Sequence, residues 1–148
     1  MKKEFGKLEW FGGNHDALNM YRMFVDLAHV WDDMVDKDKS LTEDQVNNAF
    51  LIALCYLPAN PFYQQIQQAV LPMWLTVVSA YQTANTLEKE KDLHGLEISH
   101  MLRYAAGNIV AYAVHVCVGA EKAKEIMPEV WKHIVAERLG DYVKEVTA

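Results

Sequence analysis

The stretch HVWDDMVDKDK, residues 29–39, gathers His29, Asp32, Asp33, Asp36 and Asp38 around Lys37 and Lys39. Carboxylates this close repel one another, and an i,i+4 pair such as Asp32 and Asp36 costs a helix roughly 0.2–0.5 kcal/mol. Aspartate is also a poor residue for a helix interior, and near a helix C-terminus it opposes the macrodipole. A divalent cation would resolve the conflict, because hard oxygen ligands one turn apart suit Mg²⁺ or Mn²⁺. The expectation is therefore a metal held by Asp32, Asp33 and Asp36. His29 would serve as acid or base near neutral pH. Arg103 and Lys39 would neutralise the phosphate oxygens of a diphosphate-containing substrate. The competing expectation is a solvated polar face, or a face that meets a basic protein partner without metal.

The elements that position these residues read as helices nearly throughout. Asn14 is an N-cap for a first helix reaching Asp36, preceded by a tail over residues 1–13. Setting Asp32 at zero places Asp36 at about 40°, His29 at about 60°, Arg22 at about 80°, Asp33 at about 100° and Asp26 at about 120° around that helix. Met23, Phe24, Leu27, Val30, Trp31 and Met34 lie opposite, so the helix is amphipathic. Leu18 and Val25 fall inside the acidic arc, which predicts that part of it is covered.

Thr42, with Gln45 three residues on, forms a capping box for a second helix whose body, VNNAFLIALCYL, reads as buried. Asn60 caps a third helix with Pro61 at its first position, and Pro72 should kink or split it. A fourth helix runs from about Asp92 to Val118. A fifth runs from about Ala120 to Val143, with interruptions at Pro128 and Gly140. The expected object is an all-α chain, a compact bundle of four to five helices forming one domain over residues 14–148.

On the fourth helix His94, Glu97, His100, Tyr104, Asn108 and His115 share one side, a polar seam on an otherwise apolar helix. His115 reads as a hydrogen-bonded core histidine. The first and fourth helices are expected to face one cleft, with Arg103 near the aspartates and with Asn60 and Tyr63 lining its end as substrate ligands. Asp26–His29 and Glu97–His100 are both carboxylate-x-x-His pairs. That pattern resembles di-iron carboxylate bundles, in which Glu88, Glu129 or Glu137 would supply the remaining ligands.

HVWDDMVDKDK, LPANPFY, TANTLE and HMLRYA together resemble a group of small all-helical proteins carried by bacteriophages and prophages. The resemblance covers residues 25–140 and implies that His29, Asp32, Asp33, Asp36, Asp38, Asn60, Tyr63, Glu88 and Arg103 belong to a shared pattern; it implies no activity. Locally, Asp32, Asp33 and Asp36 are similar to the DDxxD motif by which class I isoprenoid synthases hold Mg²⁺-diphosphate. The chain also resembles, in class, the all-α nucleotide pyrophosphohydrolases, though it lacks their paired-glutamate motif.

Composition narrows the partners. With 148 residues, 51% of them hydrophobic, the chain is long enough for a sizeable core. A formal net charge of −6 with scattered lysines and arginines argues against nucleic-acid backbone binding. The two cysteines, Cys55 and Cys117, sit in apolar segments and read as buried free thiols of a reducing compartment. The start MKKEFGKLEW has no apolar secretion core, and AAGNIVAYAVHVCVG reads as too short and polar to span a bilayer. The expectation is a cytoplasmic protein, in the host cytoplasm if phage-encoded, that engages no membrane and has self-association open to it.

Overall fold

The computed structural model describes residues 6–37 and 40–148. It is all-helical, with no strand among the described residues. Contacts divide the chain into two compact units, residues 1–67 and 68–148.

In the first unit, α1 (His15–Asp36) starts where Asn14 accepts the Ala17 N–H at 3.0 Å. It ends at Lys37, whose left-handed backbone (φ 56°) turns its N–H back to the Asp33 carbonyl. The expected tail is in part structural. Leu8–Phe11 form a 3₁₀ turn against α1, with Trp10 and Phe11 almost fully buried and both rings against Tyr21. Gly6 is held at φ +84°, and a Cβ there would lie 2.8 Å from the Tyr21 ring, so the approach demands glycine. The aromatic pair Trp10 and Phe11 supplies the burial that fixes this segment.

Thr42 and Gln45 form the expected capping box on α2 (Glu43–Leu51). A π-helical turn, Ile52–Tyr56, then leads to the short α3 (Leu57–Ala59). The expectation of a buried second helix fails. Only Ile52 and Leu57 of this stretch are buried, while Phe50, Leu51, Leu54 and Tyr56 are exposed, Leu54 at 70%. Cys55 is likewise exposed and Cys117 half-buried, both as free thiols. On α1 too, burial stops early: Leu18 and Phe24 are in the core, but Met34 and Val35 are exposed.

Asn60 caps α4 (Pro61–Glu90) as expected, its Oδ1 accepting the Tyr63 N–H at 2.9 Å. The helix runs unbroken through Pro72. Pro72 lacks the N–H that would reach the Gln68 carbonyl, but both residues are exposed, so water can satisfy that oxygen. The division between the units falls within this helix.

In the second unit, Asp92 caps α5 (Leu93–Leu102), accepting the Gly95 N–H at 3.0 Å. The expected fourth helix is two helices. Tyr104 N–H bonds Met101 O, and Ala105 N–H bonds Leu102 O, three-residue steps that overwind the chain before α6 (Gly107–Val118). Gly119, at φ +82°, then turns the chain into α7 (Ala120–Ile134). This helix continues through the exposed Pro128; the interruption comes at residues 135–138, before α8 (Leu139–Thr147), and Gly140 lies inside the last helix. Within the unit α6 packs on α7 and α5 on α8, over a core including Leu96, Ile109, Val114, Ala123, Val130 and Tyr142.

Candidate functional site

The acidic end of α1 places Asp32, Asp33 and Asp36 at intermediate exposure, with His29, Arg22 and Asp26 exposed. Asp38 and Lys39, the latter an expected substrate ligand, lie outside the described residues. Among the described residues no group of three or more His, Cys, Asp or Glu side chains comes together as a metal site. That holds for the aspartate cluster and for the di-iron arrangement alike.

Asn60 and Tyr63, expected to line a substrate cleft, are built into the first unit's interior. Asn60 Oδ1 is the helix cap, while its Nδ2 donates to the Asp16 carbonyl at 2.9 Å, so the amide pins α4 to the start of α1. Tyr63 is buried edge-on against Phe24, ring centroids 6.4 Å apart.

Arg103 anchors a polar network inside the second unit. Its guanidinium donates to the Glu88 carboxylate and, at 3.0 Å, to Asn85 Oδ1, and it stacks over Tyr81 with Cζ 5.2 Å from the ring centroid. The same Glu88 oxygen accepts the Tyr142 hydroxyl at 3.0 Å, and Tyr142 also meets the buried Ser99 hydroxyl. His100 lies against the Tyr142 ring and donates from Nε2 to the Glu137 carbonyl at 2.9 Å, holding the segment between α7 and α8. Burial alone would lower the Arg103 pKa. The Tyr142 hydrogen bond and the Glu88 charge outweigh it and hold the guanidinium above its ordinary range. Burial, reinforced by Glu88, pushes the Tyr142 hydroxyl up, against hydrogen bonds from Ser99 and Arg103 that pull the other way. A hydroxyl kept neutral and a permanently charged arginine form a clamp that joins α4, α5 and α8; neither is poised to exchange protons near neutral pH.

The expected polar seam is only partly real. His100 is buried, but His94, Glu97 and Asn108 are exposed, and so is His115, whose Nδ1 reaches only the Ala111 carbonyl one turn back. The break at residues 103–106 ends the projection on which the seam rested. No family model, curated protein or solved structure matches this chain.

A feature that the reading for catalytic residues passed over lies on α4. Leu71 is 68% exposed, Leu75 74% and Val78 38%, on successive turns of one face. The signal was present as a void: no Asp, Glu, Lys, Arg or His occurs between Asp44 and Glu88. The stretch Leu93–Val118 is also long and apolar enough to cross a membrane by length and composition, with 28% of its apolar window buried. The turn at residues 103–106 and the inward-facing Ser99 and His100 interrupt it.

Proposed function

We propose that the protein works by association, as a small non-enzymatic helical accessory or assembly protein whose exposed α4 stripe receives a protein partner. The observation that carries this is the row Leu71, Leu75 and Val78, standing in solvent on a helix that carries no charge before Glu88. Covering this row with a partner would remove apolar surface from water, the dominant favourable contribution in most protein–protein association. The reading takes the longer helices as a compact bundle in which each amphipathic helix buries one stripe, leaving this one outside. It agrees with the resemblance to small phage-borne helical proteins. It is tested by the double variant Leu71→Gln/Leu75→Gln. A docking surface tolerates the change, so Tm should stay within about 3 °C, as for surface substitutions in general. A fall of more than about 10 °C would show that these leucines belong to the fold's own core.

A second reading retains a divalent cation, Mg²⁺ or Mn²⁺, on Asp32, Asp33 and Asp36, with a diphosphate-bearing small molecule as ligand. What favours it is the partial covering of all three aspartates at the negative end of α1, where a cation would relieve both repulsion and macrodipole. Mg²⁺ commonly needs only one or two protein carboxylates, so a sparse ligand set suits it. Its test is thermal stabilisation by the metal alone.

A further inference from the structure

We infer that the partner on the α4 stripe is a second copy of this chain, paired antiparallel through a two-fold axis beside Leu75. The inference rests on the association reading and gives that surface its occupant. Three properties of the stripe select a like copy.

The first is its sequence pattern. Gln68, Leu71, Leu75, Val78 and Gln82 follow one another at spacings of three and four residues, the seam of two helices packed side by side. All five are exposed and all lie in the second unit. The pattern is nearly palindromic. Turned end for end about Leu75, it sets Leu75 against Leu75, Leu71 against Val78, and Gln68 against Gln82. An isologous two-fold interface requires this self-complementarity, whereas a different partner has no need of it.

Charge is the second property. A chain with net charge −6 repels its own copies wherever charged faces meet. On α4 two copies meet no charge at all before Glu88, and the glutamines at either end can both donate and accept across the pair. A basic or acidic protein would find no handle here. A membrane surface is also disfavoured, because interfacial helices flank their apolar face with lysine and arginine, and this one flanks it with glutamine.

Size is the third. The three aliphatic side chains offer roughly 200–300 Å² of apolar surface. With the glutamines, pairing would cover roughly 400–600 Å² per copy, short of the roughly 800 Å² of a standard interface. The dimer is therefore weak, with a dissociation constant on the order of 10–100 µM, and forms where copies are concentrated.

The experiment is site-directed disulfide trapping in a Cys55→Ser/Cys117→Ser background, run beside sedimentation of the wild type. Leu75→Cys should form a covalent dimer under mild oxidation. Thr76→Cys, about 100° around the helix, should not. Leu71→Cys alone should trap poorly, and an equimolar mixture with Val78→Cys should trap well, which a parallel pair would reverse. In sedimentation the wild type should shift from monomer toward dimer between about 10 and 500 µM, and Leu71→Gln/Leu75→Gln should abolish the shift. A wild type that stays monomeric throughout, or equal trapping at positions 75 and 76, overturns the second-copy inference. If the glutamine variant keeps its Tm in that case, the association reading survives with another partner; if Tm collapses, both fall.

Discussion

Arg103 and Glu88 form an ion pair that is neither on the surface nor fully dry: their side chains are 13% and 24% exposed. The pair ties α5 to the end of α4, and Tyr142 brings α8 onto the same carboxylate oxygen. Breaking one half leaves a mostly buried charge uncompensated, which costs far more than the intact pair contributes. Glu88→Gln should therefore lower stability by about 2–4 kcal/mol, whereas Glu88→Leu with Arg103→Met should recover most of that loss. Denaturant unfolding of the three proteins measures this. A single variant as stable as wild type would show that the clamp carries no structural load.

The same network sets an alkaline limit. The folded protein holds the Tyr142 proton above the ordinary tyrosine pKa of about 10. Burial does the same to Tyr21 in the first unit. Unfolded chains release these protons first, so above pH ~10 the unfolded state binds fewer protons and stability declines with rising pH. This contribution is complete below pH ~10 and lost as pH climbs through the folded values. Unfolding midpoints between pH 8 and 11.5 should fall only in the upper part of the range, with Tyr142→Phe flattening the fall. A midpoint insensitive to pH up to 11.5 would contradict the assignment.

Local signals in the sequence were read well because their causes are local. Asn14, the Thr42–Gln45 box and Asn60 before Pro61 each cap a helix by bonding an N–H within three residues, which needs no knowledge of the rest of the chain. The break at residues 103–106 contains no glycine or proline. It is associated with tertiary partners, Glu88 for Arg103 and Trp131 for Gly107, that no window around it contains. Burial misled for a similar reason. An apolar run such as FLIALCYL specifies affinity for a cover without specifying that one exists, and Leu54 and Leu75 stand exposed. From the sequence Glu88 is a candidate di-iron ligand and Arg103 a phosphate clamp, and one resemblance includes both; their pairing with each other required the fold.

Asn60 offers a direct contrast between a structural and a ligand-binding role. Both ends of its side-chain amide are spent within the first unit: Oδ1 accepts the Tyr63 N–H and Nδ2 donates to the Asp16 carbonyl. Asn60→Ala should cost about 2–3 kcal/mol, from a lost cap and a deprived buried carbonyl. Asn60→Asp, which keeps the cap and loses the donor, should fall between. Equal stability of all three would return the residue to the list of candidate ligands.

Gly107 should resist the usual gain from replacing a helical glycine by alanine. A Cβ at that position would lie 2.5 Å from the Trp131 ring, so the indole must move and α6 must part from α7. Overpacking of this kind costs about 1–3 kcal/mol, more than the roughly 0.5–1 kcal/mol that alanine returns. Gly107→Ala should lower Tm and shift the tryptophan emission, and pairing it with Trp131→Phe should restore part of the loss. An alanine variant more stable than wild type would show the contact to be loose.

Asp32→Asn with Asp36→Asn separates the two functional readings. Both aspartates sit in the last two turns of α1, at the end of the helix dipole that disfavours negative charge. Neutralising them should stabilise the protein by about 0.3–1 kcal/mol in the absence of divalent ions, through both the dipole and the like-charge pair. If association is the function, millimolar Mg²⁺ or Mn²⁺ moves the wild-type Tm by no more than it moves that of the double variant, since general screening acts on both. A metal site gives a different result: a ligand bound only by the native state raises Tm in proportion to its occupancy. A rise of several degrees in the wild type, absent from the double variant, would establish the aspartates as cation ligands and make the metal-dependent reading the leading one.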